Sequence, residues 1–215
     1  MGDRLRPVID MSRTVPKRPR GAEEWRDTMF IRSERLFLRP GWPEDRDELY
    51  GAIADPGVVL NLSRVPWPYT REDAGQFLDL PEAHAHPRFL ITLPGRDGTR
   101  VIGSVGLNEA EHGPQLGYWI ARAHWGQGFA SEAAQAVLGL ARTLGHRRIV
   151  ARHFIDNPAS GRVLRKIGFR PTGRSLELYS AGRGETGTAL EYAVDLAGLG
   201  GGDDTVELMP CRQAA

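Results

Sequence analysis

Two short stretches carry residue types that could do chemistry. The first, Gly117–Ser131 (GYWIARAHWGQGFAS), sets Gly126 and Gly128 between an alternating apolar segment and an Ala/Leu-rich run. Glycines at a strand-to-helix junction let backbone N–H groups converge on a ligand with no Cβ in the way. The first helical turn adds unpaired N–H donors and the positive end of the helix dipole. Together these make an anion site suited to phosphate, although a plain strand-to-helix turn would use the same glycines. The second stretch is Asn157-Pro158-Ala159-Ser160, followed by Lys166-Ile167-Gly168-Phe169. Asn157 is a good N-cap and Pro158 a good first helical residue. Gly168 closes the helix, and Ser160 presents a hydroxyl one turn in.

Three phosphate-binding readings compete for the glycine turn. A P-loop needs GxxxxGK[ST], a string this chain lacks. A dinucleotide fingerprint needs GxGxxG, and the run Gly126-Gln127-Gly128-Phe129-Ala130-Ser131 stops short of the third glycine. Arg147 and Arg148 stand where that fingerprint wants an acidic residue, which leaves an NADP site open on residues alone. A dinucleotide turn, however, follows the first strand of a parallel domain, and this one follows an antiparallel meander. The third reading is coenzyme A.

On that reading the run WGQGFASEA resembles the acyl-CoA signature of the GNAT superfamily of N-acetyltransferases, whose pattern is Gln/Arg-x-x-Gly-x-Gly/Ala. Gly128 and Ala130 match its glycine and small residue, while Trp125 stands at the Gln/Arg position. The subgroup resembled is that of the ribosomal-protein-alanine N-acetyltransferases. It carries a similar opening strand (Ser33 to Arg39, SERLFLR), a similar loop (Trp67-Pro68-Tyr69), a similar strand (Gly117-Tyr118-Trp119-Ile120) and a similar second helix (NPAS…KIGF). The resemblance spans about residues 31–196. It implies an acetyl-CoA-dependent N-acetyltransferase with no metal. It implies pantetheine contacts at Trp119, Ile120 and Ala121, pyrophosphate contacts from Trp125, Gly126, Gln127, Gly128, Phe129, Ala130 and Ser131, and Asn157 and Ser160 along the arm near the thioester.

For the chemistry, Ser160 is the expected group that protonates or steadies the departing thiolate. The related enzymes commonly place a Glu before the Gly-Tyr-Trp strand, and here Gln115, which cannot act as a base, holds that position. Glu109, with Glu111 beside it, is the expected substitute. Trp67, Tyr69 and Tyr118 are the expected acceptor-binding residues. The acceptor is an amine, most simply the α-amine of a protein or peptide N-terminus, because that group is substantially neutral near pH 7. A small-molecule amine, or an acyl-CoA-binding module that transfers nothing, are the alternatives. His84 and His86 are i and i+2 on an expected helix, so they point apart and make a poor metal pair. No GxSxG elbow is present for a serine hydrolase.

The elements that must position these residues follow from periodicity and turn chemistry. Strands are expected over 35–39, 88–93, 100–108, 115–121, 148–155, 174–179 and 189–196, and helices over 43–54, 71–85, 127–144 and 157–167. Gly95-Arg96-Asp97-Gly98 reads as a hairpin turn. Only the strand–helix–strand unit 115–155 requires a parallel pair. The resemblance makes this an α/β fold of mixed, α+β-like type: one GNAT-type domain with a central mixed sheet of about seven strands, splayed in the middle and flanked by about four helices.

Composition excludes several classes. Lys and Arg number 28 against 27 Asp and Glu, so bulk charge points to neither nucleic acid nor an anionic membrane. One cysteine, Cys211, permits no internal disulfide framework. No apolar run is long enough to span a membrane and no signal peptide is visible, so a cytoplasmic location is expected. Residues 1–30 read as a disordered extension; Met11–Arg20 holds four basic residues, no acidic ones and two prolines, an arm that could touch nucleic acid weakly. Residues 197–215, opening on a glycine run, read as a flexible tail. A homodimer is left open.

Overall fold

The computed structural model describes residues 29–81, 83–96, 98–198 and 207–208. The basic arm, most of the C-terminal tail with Cys211, and Asp97 of the hairpin turn lie outside the described residues. The order of elements is β1 (Ile31–Arg32), β2 (Phe37–Arg39), α1 (Arg46–Ile53), α2 (Pro56–Val59), α3 (Arg71–Leu78), β3 (Arg88–Gly95), β4 (Gly98–Asn108), β5 (Gln115–Ile120), α4 (Phe129–Thr143), β6 (Arg148–Phe154), α5 (Pro158–Lys166), β7 (Arg170–Ser180), β8 (Glu185–Asp195) and β9 (Glu207–Leu208). The strands form one sheet in the order β7-β8-β6-β5-β4-β3-β2-β1-β9. Its parallel pair is β5–β6.

This is the expected mixed α/β architecture with two corrections of count. The sheet has nine described strands where seven were expected, because β1 and β9 are two-residue pairings too short to show periodicity. Among the described residues there are five α-helices where about four were expected, because α2 is a single turn. Its signal was local: Asp55 caps it, accepting from the Gly57 N–H at 2.7 Å, and Pro56 opens it. The second expected helix also ends earlier. Thr70 and Asp73 form the capping box, but α3 stops at Leu78 rather than near Ala85. Pro81 has no N–H to continue the ladder and disfavours helical backbone at Leu80. The closing hairpin is longer than read, with a bulge between Pro171 and Ser175 that hides its alternation.

Two apolar cores hold the sheet. On one face α4 and α5 pack Phe129, Ala133, Val137, Leu140 and Leu164 onto strand residues such as Phe89, Ile102 and Ile149. On the other, α1 to α3 pack Leu49, Ile53, Val59 and Leu78 against Leu90 and Val101. Truncating one such fully buried Leu to Ala costs roughly 2–5 kcal/mol. Within this frame β5 and β6 pair only at Gln115↔Val150 and Leu116↔Ala151. Beyond Leu116 the two strands no longer pair, which leaves a gap between them. That gap is the expected splay, and it makes room for the site.

Candidate active site

The gap between β5 and β6 opens into a cavity of about 640 Å³. Its walls are β5 from Gln115 to Ile120, the turn around Gly126 and Gly128, the start of α4, the end of β6 and the first two turns of α5. Past Leu116 the β5 edge has no strand partner on the β6 side, so its outward backbone groups face the cavity. The Ile120 carbonyl is an exception: it accepts from the Trp125 indole N–H at 2.7 Å.

The glycine turn is built as its residue types demand. Gly126 has φ +74° and Gly128 φ +83°, in the left-handed region that side chains with a Cβ avoid. Nothing lies within 4 Å of the Cβ position at Gly126, so the turn is open at that point. α4 begins at Phe129, so its first free N–H groups sit beside these glycines. A carboxylate in this first turn, Glu132, would repel an anion, and the fold disposes of it. Glu132 accepts from the Arg35 backbone N–H at 2.7 Å, the Ser33 hydroxyl at 2.8 Å and Arg35 Nε at 2.8 Å. Burial pushes its carboxyl up, but these bonds outweigh it and hold the group below its ordinary value. Arg35 also donates to the Gln127 carbonyl at 3.0 Å and stacks 4.5 Å over the Phe129 ring. Sequence reading missed this brace, whose partners lie 97 residues apart.

Across the gap, Asn157 caps α5 by accepting from the Ser160 N–H at 3.2 Å. α5 sits very close to β6, because a Cβ at Gly161 would come within 2.7 Å of His153 Nε2. This close approach fixes where Ser160 points. Its Oγ lies 2.8 Å from the Tyr118 hydroxyl, which also donates to the Ser160 carbonyl at 3.3 Å. Burial pushes the Tyr118 phenol up to about 12, with the Ser160 bond pulling the other way, so it stays protonated at neutral pH. Two hydroxyls from opposite walls thus meet across the splay.

The remaining expected residues are placed differently. Tyr118, read as an acceptor residue, is engaged with Ser160. Tyr69 is only 7% exposed, packs in the core under α1 and α3, and does not line the cavity. Burial, with Asp73 adding to it, pushes its phenol up to about 12. Trp67 is exposed and likewise off the cavity wall. Glu109 is exposed at the end of β4 and Glu111 is exposed beside His112; neither lines the cavity, whereas Gln115 does. The one carboxylate among the cavity-lining residues is Asp156, which the sequence reading passed over. Among the described residues no cluster of His, Cys, Asp or Glu could hold a metal ion, and no helix is long and apolar enough to cross a membrane.

Residues 35–170 match the family described as "Acetyltransferase (GNAT) domain". The chain belongs to the GNAT acetyltransferase family. It is 40% identical over 149 residues to the uncharacterised N-acetyltransferase YoaA of Bacillus subtilis (strain 168), covering 67% of this chain and 84% of that protein. A ribosomal-protein-serine acetyltransferase of Escherichia coli (strain K12) matches over a shorter stretch, 36% identical over 73 residues, or 32% of this chain and 41% of that one. Among solved structures, Mycobacterium smegmatis RimJ in complex with CoA-disulfide superposes with a TM-score of 0.65 at 25% identity, over 82% of this chain and 91% of that one. The protein is thus a GNAT-type acetyltransferase, and GNAT acetyltransferases use acetyl-CoA. The open glycine turn, the unpartnered β5 edge and the cavity between the splayed strands fit a ligand with a pyrophosphate and an extended amide-bearing arm.

Proposed function

We propose that this GNAT enzyme transfers the acetyl group of acetyl-CoA to the α-amine of a protein or peptide N-terminus, by direct attack on the thioester. The observation that carries the reading is the Tyr118–Ser160 hydroxyl pair at the splay, set opposite a Gln rather than a carboxylate at position 115. In the proposed mechanism the N–H groups of 126–131 hold the pyrophosphate, Arg35 cancels the Glu132 charge behind them, and the β5 edge past Leu116, where Tyr118 and Ile120 face away from β4, pairs the arm. Ser160 then steadies the departing thiolate with its hydroxyl while Tyr118, kept protonated by burial, holds Ser160 in place, and the proton lost by the attacking amine reaches the thiolate through solvent.

The acceptor assignment follows from proton accounting. The attacking nitrogen must be neutral, and the wall at Gln115 offers no base. An α-amine with pKa about 7.7–8.0 is already partly neutral near pH 7, whereas a lysine amine near 10.4 carries roughly 3.5 kcal/mol more deprotonation cost. The shorter match to a ribosomal-protein-serine acetyltransferase points the same way, toward a protein acceptor. A pH series of kcat/KM tests this, with one peptide offered as a free N-terminus and again with the N-terminus blocked and an internal lysine. Rates should follow the neutral fraction of the amine, with the α-amine faster at pH 7. A lysine preference at that pH would overturn the reading.

A further inference from the structure

One wall of the cavity is tied together by hydrogen bonds between segments far apart in sequence. After α2 the chain runs beneath the turn between β7 and β8, and three bonds join them. Ser180 Oγ donates to the Leu62 carbonyl at 2.8 Å, the Ala181 N–H to the Ser63 carbonyl at 2.8 Å, and Arg183 Nε to the Leu60 carbonyl at 2.6 Å. Gly182 allows the approach, because a Cβ there would meet Val59 Cγ1 at 2.8 Å and the Val65 carbonyl at 3.0 Å. Arg183 then reaches a third segment. It grips both oxygens of Asp156 at 2.7 and 3.0 Å and lies 4.2 Å over the Phe154 ring. One guanidinium therefore fixes the exit of α2, the end of β6 and the closing hairpin in a single arrangement.

The surface so fixed has a definite chemistry. Val58, Leu62, Phe154 and Leu178 give it apolar ground, and Asp156 is the sole carboxylate. Asp156 stands four residues before Ser160, just ahead of the α5 cap, and its side chain is 58% exposed. A carboxylate has about four lone-pair sites, and the arginine fork uses two of them. The geometry points to Asp156, held in place by Arg183, as the group that receives the acceptor's ammonium, with the adjoining apolar wall taking a small apolar side chain beside it. This rests on the reading of the protein as an amine acetyltransferase and names how that amine is recognised. The hydrogen bonds from Arg183 hold the Asp156 carboxyl below its ordinary value, so it binds the cation without taking its proton. Asp156 thereby selects the amine and leaves its deprotonation to solvent.

The test uses Asp156→Asn, which keeps the size of the side chain and one acceptor oxygen for Arg183. Calorimetry on the CoA-saturated protein compares an alanine-first tetrapeptide amide with its N-acetylated twin, which lacks the charge. The wild type should prefer the free amine by about tenfold, and the preference should shrink as salt screens the charge. Asp156→Asn should abolish both the preference and its salt dependence while leaving acetyl-CoA affinity unchanged. Arg183→Ala should lose the same preference, and the double variant should lose no more than either single. An intact preference in Asp156→Asn, or one lost only together with acetyl-CoA affinity, overturns the inference. A wild-type protein that binds no acetyl-CoA overturns both this and the reading it rests on, whereas normal acetyl-CoA binding with no discrimination between the peptides overturns this inference alone.

Discussion

The two halves of the cavity are built by different means. The coenzyme half is a local device: two glycines at positive φ, a helix start and a cap, all within short stretches of chain. What it offers a ligand is mostly backbone N–H groups, which any sequence can supply once the turn is set. The acceptor half is assembled at long range by side chains, with Arg183 bonding Leu60 from 123 residues away. What it offers is a carboxylate and apolar surface, which change with every substitution. On the proposed reading, the general part of the substrate pair is met by conformation, and the part that distinguishes one acceptor from another is met by side-chain identity.

Breaking the conformational half should have the largest effect. Gly128→Val forces a β-branched residue into φ +83° and fills the space beside the turn. Calorimetry should show acetyl-CoA affinity reduced by about 10²-fold or more, because hydrogen bonds from the turn to phosphate are charge-assisted and strong. Unaltered affinity would mean that the turn is merely structural. Next comes the junction of the halves. Ser160→Ala should lower kcat by about 10²-fold with acetyl-CoA binding unchanged, since its role lies in the transition state. Tyr118→Phe, which removes the hydroxyl behind it, should cost about tenfold in the same assay.

Two smaller effects sharpen the contrast. Arg35→Gln should weaken acetyl-CoA binding several-fold, because Glu132 is then left facing the bound anion with less to offset it. Acetyl-CoA titrations of the variant and wild type side by side would read this. The last is a pH effect with a defined sign. The Glu132 carboxyl is lowered from 4.5 in the folded protein, so its contribution to stability is fully present above that value and is lost as pH falls through the folded one. Thermal midpoints recorded from about pH 7 to about pH 3 should therefore fall less steeply for Glu132→Gln than for wild type. Asp156 is lowered in the same direction, but its carboxylate is more exposed, so Asp156→Asn should flatten that limb less.

What could be read from the sequence follows the same division. The glycine turn, the Asn157 cap and the Gly168 stop were legible because each is decided within a few residues by backbone sterics and capping. The succession of the longer elements along the chain and the parallel β5–β6 pair were legible from alternation and from the intervening helix. Tyr69 was misjudged because an aromatic in a loop looks the same whether it lines a pocket or, as here, fills a core. Tyr118 was placed in the site, but its partner Ser160 lies 42 residues on, and no spacing rule connects them. Asp156, Arg183 and the Arg35–Glu132 brace stayed hidden for the same reason: each is an ordinary surface charge until the fold brings its partner near.

Acyl transfer to a free α-amine is the claim on which the rest depends, and release of the CoA thiol tests it most directly. Acetyl-CoA and the protein are incubated at neutral pH with a peptide bearing a free N-terminus, and in parallel with its N-terminally blocked twin lacking lysine. The account predicts thiol release that depends on the free α-amine, matches the amount of N-acetylated peptide formed, and falls by about 10²-fold in Ser160→Ala. Thiol release that is the same with the blocked peptide, or none with any free N-terminus while acetyl-CoA binds normally, would contradict it.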